Sequence, residues 1–162
     1  MEIQKAEFGD LEDILDLQYL AYQTEAEMLN DYEIPPLKQT ISEIRDEYDK
    51  GTILKAVENG RIIGSVRVCR ENGTGFIGKL MVHPDYRKRG IGTALLRAAE
   101  TACPSGRYEL FTSDRSLNNI RLYEKSGYRR FKEKDAKPGL RFVYLEKSAG
   151  GADASLIAPK TL

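Results

Sequence analysis

The chain has 162 residues, of which 41% are hydrophobic, and its 25 basic side chains balance 25 acidic ones. This composition is typical of one soluble globular domain and unlike that of disordered or collagen-like chains. A formal net charge of zero argues against the broad basic surface that sequence-independent nucleic-acid binding requires. Two distant cysteines, Cys69 and Cys103, indicate neither a zinc site nor a disulfide framework. With no long apolar run and no secretory signal, we expect a cytoplasmic protein without membrane contact.

The N-terminal part predicts a strand followed by a helix. Residues 1–6 are short and apolar enough for an edge strand, and Asp10 is a residue type that often caps helix N-termini. An apolar stripe at helical spacing follows, formed by Leu11, Ile14, Leu15, Gln18, Ala21 and Tyr22.

A loop and a second helix are expected next. Pro35 and Pro36 lack amide donors, so we assign residues 30–37 to a loop. Apolar residues at helical spacing then predict a helix from Thr40 to about Lys50, where Gly51 provides a C-terminal stop.

Two Asn-Gly pairs predict a three-stranded antiparallel meander. Asn59-Gly60 and Asn72-Gly73 separate runs rich in Ile and Val, and Asn-Gly favours the two-residue hairpin turn because both positions need positive φ. The strands are expected at Thr52–Glu58, Arg61–Glu71 and Thr74–Val82.

The second half predicts two more helices and three more strands. The strongest amphipathic pattern in the chain gives a helix over 90–102. The other expected elements are a strand over 108–112, a helix over 119–126, strands over 129–133 and 140–147 joined through Pro138 and Gly139, and a flexible C-terminal tail over 148–162. We therefore expect a single domain over 1–147.

A basic turn rich in glycine precedes the predicted helix over 90–102, with the sequence Arg87-Lys88-Arg89-Gly90-Ile91-Gly92-Thr93. Helix N-termini leave amide groups unpaired and glycines allow a ligand close to the backbone, so the turn suits a diphosphate. Taken alone, it could equally be a solvated basic turn. It lacks the glycine patterns of dinucleotide and nucleoside triphosphate loops, so those ligands are disfavoured.

Two motifs together resemble the GNAT acetyltransferases. The segment Leu80-Met81-Val82-His83-Pro84-Asp85-Tyr86 followed by R-x-x-G-x-G is similar to that family's coenzyme A motif, and residues 116–128 (SLNNIRLYEKSGY) are similar to its second signature. The resemblance covers roughly residues 1–147. It implies an α+β GNAT fold, a mostly antiparallel twisted sheet of about seven strands flanked by four helices, in the order strand, two helices, three strands, helix, strand, helix, two strands.

The resemblance implies a set of cofactor contacts. In the family, the strand before the loop splays from its neighbour, so that backbone groups bind the pantetheine arm and the acetyl carbonyl; here these residues are Leu80, Met81 and Val82. A fixed N–H donor there would stabilise the negative charge that develops on oxygen. Asn119 matches the family's asparagine near the cofactor, although Asn118 or Asn119 could instead cap the helix.

Tyr123 matches the tyrosine that protonates the departing coenzyme A thiolate in many GNAT enzymes. A phenol titrates near ~10 and a thiol near ~8.5, so the transfer is only modestly uphill. Without the other motif, Tyr123 would be interpreted as part of the apolar helix face.

The general base is not identified. Some family members use a glutamate on the strand before the loop, but residues 76–82 contain no acid. Glu25, Asp31, Glu33 or a water relay remain candidates, each acid being equally interpretable as an exposed charge. His83, the only histidine, is not predicted to be a base or a metal ligand, and no metal is expected.

The resulting functional hypothesis is an N-acetyltransferase that moves the acetyl group of acetyl-coenzyme A directly to a primary amine of a small molecule or peptide. A non-catalytic acyl-coenzyme A binding or regulatory domain is the alternative, and a nucleotide-binding module is a third. The family often forms dimers by pairing late strands, so residues 140–147 could form a homodimer contact.

Overall fold

A computed structural model describes residues 1–149 of the chain, in which seven strands form one sheet. Their spatial order is β1-β2-β3-β4-β5-β7-β6, and only the β4–β5 pair is parallel. The expected mostly antiparallel mixed sheet is confirmed. The strands are β1 (Glu2–Lys5), β2 (Thr52–Glu58), β3 (Arg61–Glu71), β4 (Thr74–Val82), β5 (Arg107–Ser113), β6 (Arg129–Lys137) and β7 (Leu140–Ser148).

Six helices accompany the sheet in the described residues, two more than predicted. They are α1 (Leu11–Ala21), α2 (Gln23–Leu29), α3 (Pro35–Lys38), α4 (Ile41–Lys50), α5 (Ile91–Ala102) and α6 (Leu117–Lys125). The additional ones are the short α2 and α3. Asn30 ends α2 in the left-handed conformation, with φ of 51°. Pro35 and Pro36 occupy the first turn of α3, where an amide hydrogen is not needed, so the prediction of an unbroken loop over 30–37 was wrong.

Asp10 is the N-cap residue of α1, as predicted, but its side chain does not cap the helix. Asp10 has helical dihedrals and makes no side-chain cap hydrogen bond to α1. Its carboxylate instead accepts hydrogen bonds from the Glu7 amide at 2.7 Å and from Lys55 Nζ at 2.6 Å. A short 3₁₀ turn, Phe8–Asp10, occupies this place and has its own capping box. Asp10 therefore connects the start of α1 to β2.

The meander is confirmed at the predicted strand bounds. Asn59-Gly60 and Asn72-Gly73 all have positive φ, between 49° and 80°, as a two-residue hairpin turn of this kind requires. Antiparallel pairing joins β2 to β3 and β3 to β4 on either side of these turns. The Asn-Gly pairs thus set the register of the three central strands.

The sheet separates two hydrophobic clusters. On one face, α5 packs on β2, β3 and β4, and its buried residues Leu95, Leu96 and Ala99 contact the larger cluster. On the other face, α1 and α4 pack on β2, β3 and β4 through residues such as Ile14 and Ile44, both fully buried. These helices leave the second face of β5, β7 and β6 uncovered.

Strands β4 and β5 diverge after a short paired stretch. Their parallel register covers only Thr74 with Arg107, Gly75 with Tyr108 and Phe76 with Glu109. Beyond this point β5 continues with β7 as its partner, while β4 remains paired with β3. A gap therefore opens in the middle of the sheet beside residues 77–82, as the family resemblance implies.

Strand β7 is interior, because β5 and β6 pair with its two edges. The expectation that residues 140–147 could pair with a second copy is therefore wrong. The exposed edge belongs to β6, with sequence RRFKEKDAK. The predicted tail begins one residue early, since β7 extends to Ser148; the remainder, residues 150–162, lies outside the described part. Within residues 1–149, no helix combines the length and apolar character that a membrane span needs.

Candidate active site

The backbone of β4 presents an open edge where the acetyl group was predicted to bind. The register between β3 and β4 is irregular beside this edge, and Lys79 has a positive φ of 51°. The side chains of Leu80 and Val82 pack against the larger hydrophobic cluster, on the α5 face of the sheet. Met81 belongs to the cluster on the other face, beneath α1 and α4. Because β5 has already separated, the β5-facing peptide groups of Leu80, Met81 and Val82 have no strand partner in the described chain.

The glycine-containing turn leads directly into α5. Gly90 is the N-cap residue with φ of 80°, and α5 has no side-chain cap, so the first-turn amides of Ile91, Gly92 and Thr93 are available to an anion. At Gly92, a Cβ atom would lie 2.9 Å from Leu122 Cδ1. Gly90 is therefore required by backbone conformation, whereas a side chain at position 92 would have to displace only the tip of the Leu122 side chain.

The three basic side chains of this turn have different environments. Arg87 donates to Thr24 Oγ1 at 2.7 Å and to the Ala21 carbonyl at 3.0 Å, which connects the turn to α1 and α2. Arg89 lies 3.6 Å from Glu58, and its guanidinium lies 5.0 Å from the centre of the Tyr86 ring. Lys88 is exposed and forms no ion pair among the described residues. Lys88 is thus the side chain best placed to meet a phosphate.

The second motif forms the start of α6. The helix begins at Leu117, two residues earlier than predicted, with Ser116 at the N-cap position. Asn118 and Asn119 therefore lie in the first turn, and the alternative that either one caps the helix was wrong. Both asparagines are exposed, and the contact of Asn119 with the cofactor stays a prediction.

Tyr123 lies on the inner face of α6 and is 6% exposed. Burial raises the pKa of its phenol well above the usual value, and the charges of Tyr22 and Glu25 raise it further. The hydroxyl therefore keeps its proton through the neutral range. The ring belongs to the larger hydrophobic cluster, on which α5 packs, so the apolar-face interpretation is correct. The role of Tyr123 as proton donor stays a prediction.

Among the three carboxylates considered as bases, Glu25 lies beside the tyrosine. It is on α2 and accepts a hydrogen bond from Ser116 Oγ at the start of α6. Its charge also raises the pKa of Tyr22, after the larger effect of burial. Glu25 therefore connects α2 to the start of α6.

The other two carboxylates are occupied elsewhere. Asp31 forms an ion pair with Lys137 on β6, and this hydrogen bond holds the pKa of Asp31 below its usual value. Glu33 pairs with Lys38 and is 72% exposed. The structure thus places only one of the three near Tyr123.

A buried polar network lies on the α1 side of the sheet and was missed from the sequence. Arg67 on β3 is 7% exposed and donates to Gln18 at 2.6 Å, to Gln39 at 2.9 Å and to Glu47 at 3.0 Å. Its Nε is buried and has no hydrogen-bond partner among residues 1–149. One signal was available: Arg67 interrupts the apolar run Ile62–Val68, and a charge inside such a run needs partners.

His83 has a structural role. Its Nδ1 accepts a hydrogen bond from the Asp85 amide at 3.1 Å, and Nε2 lies 3.0 Å from Arg61. The ring also packs edge-on against Tyr86, with centroids 5.4 Å apart. His83 thus shapes the turn after β4, away from the gap. In residues 1–149, no group of three or more His, Cys, Asp or Glu side chains is arranged to hold a metal.

Family comparison agrees with this geometry. Residues 11–128 match the family model described as "Acetyltransferase (GNAT) family". The open strand edge, the glycine turn and the second motif all lie inside the matched region. The chain belongs to the GNAT acetyltransferase family.

Individual relatives are distant. UPF0157 protein YqkA of Bacillus subtilis is 27% identical over 139 residues, which cover 85% of this chain and 40% of YqkA. Mycothiol acetyltransferase of Nocardiopsis dassonvillei is 31% identical over 78 residues, 48% of this chain and 24% of that protein. The chain thus spans less than half the length of either relative.

Solved structures support the fold. PaiA N-acetyltransferase from Thermoplasma acidophilum, solved in complex with coenzyme A, superposes with a TM-score of 0.75 at 18% identity. The match covers 91% of this chain and 98% of that one. It shows that the seven-stranded sheet and its helices have the GNAT architecture.

Proposed function

We propose that this protein binds acetyl-coenzyme A and transfers the acetyl group to a primary amine of a small molecule or peptide. The observation that carries the proposal is the gap between β4 and β5, which leaves backbone groups of residues 80–82 unpaired next to the uncapped start of α5. Unpaired amides at a helix start bind a diphosphate, and those on the strand edge bind the pantetheine arm and the acetyl oxygen.

The reaction follows from the placement of two side chains. The acceptor ammonium first loses a proton to Glu25, which passes it to solvent. The free amine then attacks the thioester carbon, the C–N bond forms, and the developing oxyanion is stabilised by a β4 amide. When the C–S bond breaks, the thiolate takes the phenolic proton of Tyr123, and Tyr123 is reprotonated, through water, by the second proton that leaves nitrogen.

The position of Glu25 beside Tyr123 favours a catalytic function over passive binding of acyl-coenzyme A. A non-catalytic acyl-coenzyme A binding domain needs the turn at α5 but has no need of a carboxylate beside Tyr123. Here Glu25 approaches the tyrosine from α2 and is held by Ser116, so the acid missing from β4 has a substitute from another element. The nucleotide-binding alternative gains no comparable support.

Replacement of Tyr123 by Phe tests the proposal. We expect kcat to fall by about 100-fold or more because the thiolate loses its proton donor, while the Kd for coenzyme A, measured by titration calorimetry, stays unchanged. Release of the free thiol reports turnover against a panel of primary amines. The matched control is Tyr32→Phe, at a side chain 52% exposed.

Two outcomes would contradict the proposal. If coenzyme A at millimolar concentration produced no binding heat, the donor site would not exist. If the wild-type chain bound coenzyme A but released no thiol with any amine in the panel, the alternative of a passive binding domain would be correct. A Tyr123→Phe variant with the wild-type rate would remove only the tyrosine from the mechanism.

A further inference from the structure

A groove lies on the sheet face opposite α5, where β4 and β5 separate. The last paired residues are Phe76 and Glu109, and two residues further along the strands lie Gly78 and Phe111, on either side of the gap. Both are exposed, and a Cβ added to Gly78 would meet no atom within 4 Å. The groove therefore has a bare backbone floor at Gly78, with room for a small molecule beside the predicted acetyl position.

One wall of this groove is aromatic. Phe111 is 52% exposed and packs against Phe142 and Tyr144 of β7, with ring centroids 4.9 Å and 5.3 Å away. Within residues 1–149, no helix covers this face of β5 and β7, because α1 and α4 pack on β2, β3 and β4. An exposed aromatic cluster of this kind favours contact with an apolar or aromatic ligand group.

The other wall is cationic. Lys79 is mostly buried, and this burial lowers the pKa of its ammonium group. The carboxylate whose charge acts on it most is that of Glu47, but Glu47 already receives hydrogen bonds from Arg67 and Gln39. Among the described residues, Lys79 lies within 4 Å of no carboxylate oxygen, and the positive charge of Arg67 opposes the effect of Glu47 and Glu43 on its pKa. The cation is therefore only partly compensated, and its sequence neighbour is Leu80, where the acetyl group is expected.

We infer that the acceptor is a small amine that also carries a carboxylate and an apolar side group, the arrangement of an aromatic or aliphatic α-amino acid. Its carboxylate pairs with Lys79 and its side group lies against Phe111, which directs the amine toward the gap. This inference rests on the proposed acetyl transfer and adds the acceptor class to it. A carboxylate is the ligand group that compensates a partly desolvated ammonium most directly.

Three acceptors that differ only at the carboxylate test the inference: phenylalanine, phenylalaninamide and phenethylamine. With the wild-type full-length chain, we expect kcat/KM measured by thiol release to be at least about tenfold higher for phenylalanine than for the other two. Lys79→Met is expected to remove this preference, and Lys79→Glu to reverse it, while the KM for acetyl-coenzyme A stays constant.

Matched variants separate recognition from misfolding. Lys5→Met removes an exposed lysine of β1, at an outer edge of the sheet away from the gap, and is expected to preserve the preference. Coenzyme A affinity and circular dichroism verify the fold of each Lys79 variant, and Phe111→Ser is expected to raise the KM for phenylalanine more than that for glycine. Amine turnover with no preference for the carboxylate, or a preference that survives in Lys79→Met, would overturn the inference alone. Coenzyme A binding without any amine turnover would overturn the proposed function, and this inference with it.

Discussion

The cationic side chains beside the glycine turn show how much a residue's role depends on its partners. The sequence places Arg87, Lys88 and Arg89 in one basic cluster, yet hydrogen bonds to Thr24 and Ala21 engage Arg87 in holding the turn against the N-terminal helices. Such contacts between distant parts of a chain cannot be deduced from local pattern. Two side chains of the same charge thus have different roles: Arg87 holds the turn in place, and Lys88 is accessible to a ligand.

This division gives a prediction for two alanine variants. Lys88→Ala is expected to weaken coenzyme A binding by about 1 kcal/mol, roughly fivefold in Kd, with unfolding unchanged, because an exposed cation contributes to phosphate binding alone. Arg87→Ala is expected to lower the free energy of unfolding by about 1 kcal/mol, or Tm by ~3 °C, through its two lost hydrogen bonds. Calorimetric titration and thermal unfolding of both variants provide the measurements. Equal effects of both variants on stability would contradict the division.

Glu25 gives a second prediction at this scale, with a defined pH dependence. An acceptor amine with a pKa near ~10.4 is almost entirely protonated at neutral pH, so Glu25→Gln is expected to lower kcat/KM by about 10- to 100-fold at pH 7. The deficit shrinks as pH rises, because the fraction of free amine then grows without a base. Rates measured from pH 7 to 10 test this trend.

Glu33→Gln is the control for that series, since Glu33 is exposed and paired with Lys38; it is expected to behave as wild type at every pH. A Glu25→Gln deficit that is constant across the pH range would exclude Glu25 as the base.

At the scale of elements, the sequence is informative wherever a local rule decides the structure. The Asn-Gly pairs locate all three meander strands, and the apolar pattern locates α5. The short helices α2 and α3 were not predicted, because their stability comes from packing and their sequences contain no long periodic apolar pattern. Asp10 illustrates a related failure, since the same residue type caps a helix or ends a 3₁₀ turn depending on its neighbours.

Gly90 carries a prediction for the element that it begins. Its φ of 80° lies in the left-handed region, which costs a residue with a side chain about 1 to 2 kcal/mol. Gly90→Ala is therefore expected to lower the free energy of unfolding by about that amount and to weaken coenzyme A binding, because the first amides of α5 shift. Denaturant unfolding and titration calorimetry measure the two effects.

Gly9→Ala is a matched control: its added Cβ meets nothing within 4 Å and its φ lies outside the left-handed range, so a change within about 0.5 kcal/mol is expected. If Gly90→Ala proved as neutral as Gly9→Ala, the turn would not depend on the left-handed conformation.

At the scale of the whole molecule, the fold and the coenzyme A motifs could be predicted, but the acceptor side could not. Glu25 reaches Ser116 from a helix that is distant in sequence, and Arg67 gathers partners from α1, α4 and the preceding loop. Pairings of this kind depend on tertiary packing. The motif for the cofactor, in contrast, lies in one contiguous turn and one contiguous helix.

Four tyrosines with desolvated phenols predict how global stability depends on alkaline pH. Burial raises the pKa of Tyr22, Tyr108, Tyr123 and Tyr128 in the folded state, and the hydrogen bond that Tyr128 donates to Glu100 raises its pKa further. Because the unfolded phenol titrates near ~10, the contribution of these tyrosines to the free energy of unfolding is complete below that pH. Above pH ~10 the free energy of unfolding falls by up to about 1.4 kcal/mol per pH unit for each tyrosine, because the unfolded state releases protons that the folded state retains.

Urea midpoints from pH 8 to 11 measure this decline. Tyr128→Phe removes one of the four groups, so the stability of this variant is expected to fall less steeply above pH ~10 than that of the wild type. Parallel curves for both chains would show that Tyr128 titrates normally in the folded protein.

The edge strand β6 has a consequence for how the molecule behaves in crowded solution. Its sequence RRFKEKDAK places a charge at seven of nine positions, and the opposite edge, β1, is only four residues long. Another strand that docked on β6 would have to accommodate this dense row of charges, and one that docked on β1 would gain few backbone hydrogen bonds. Both edges thus disfavour the growth of the sheet into fibrils.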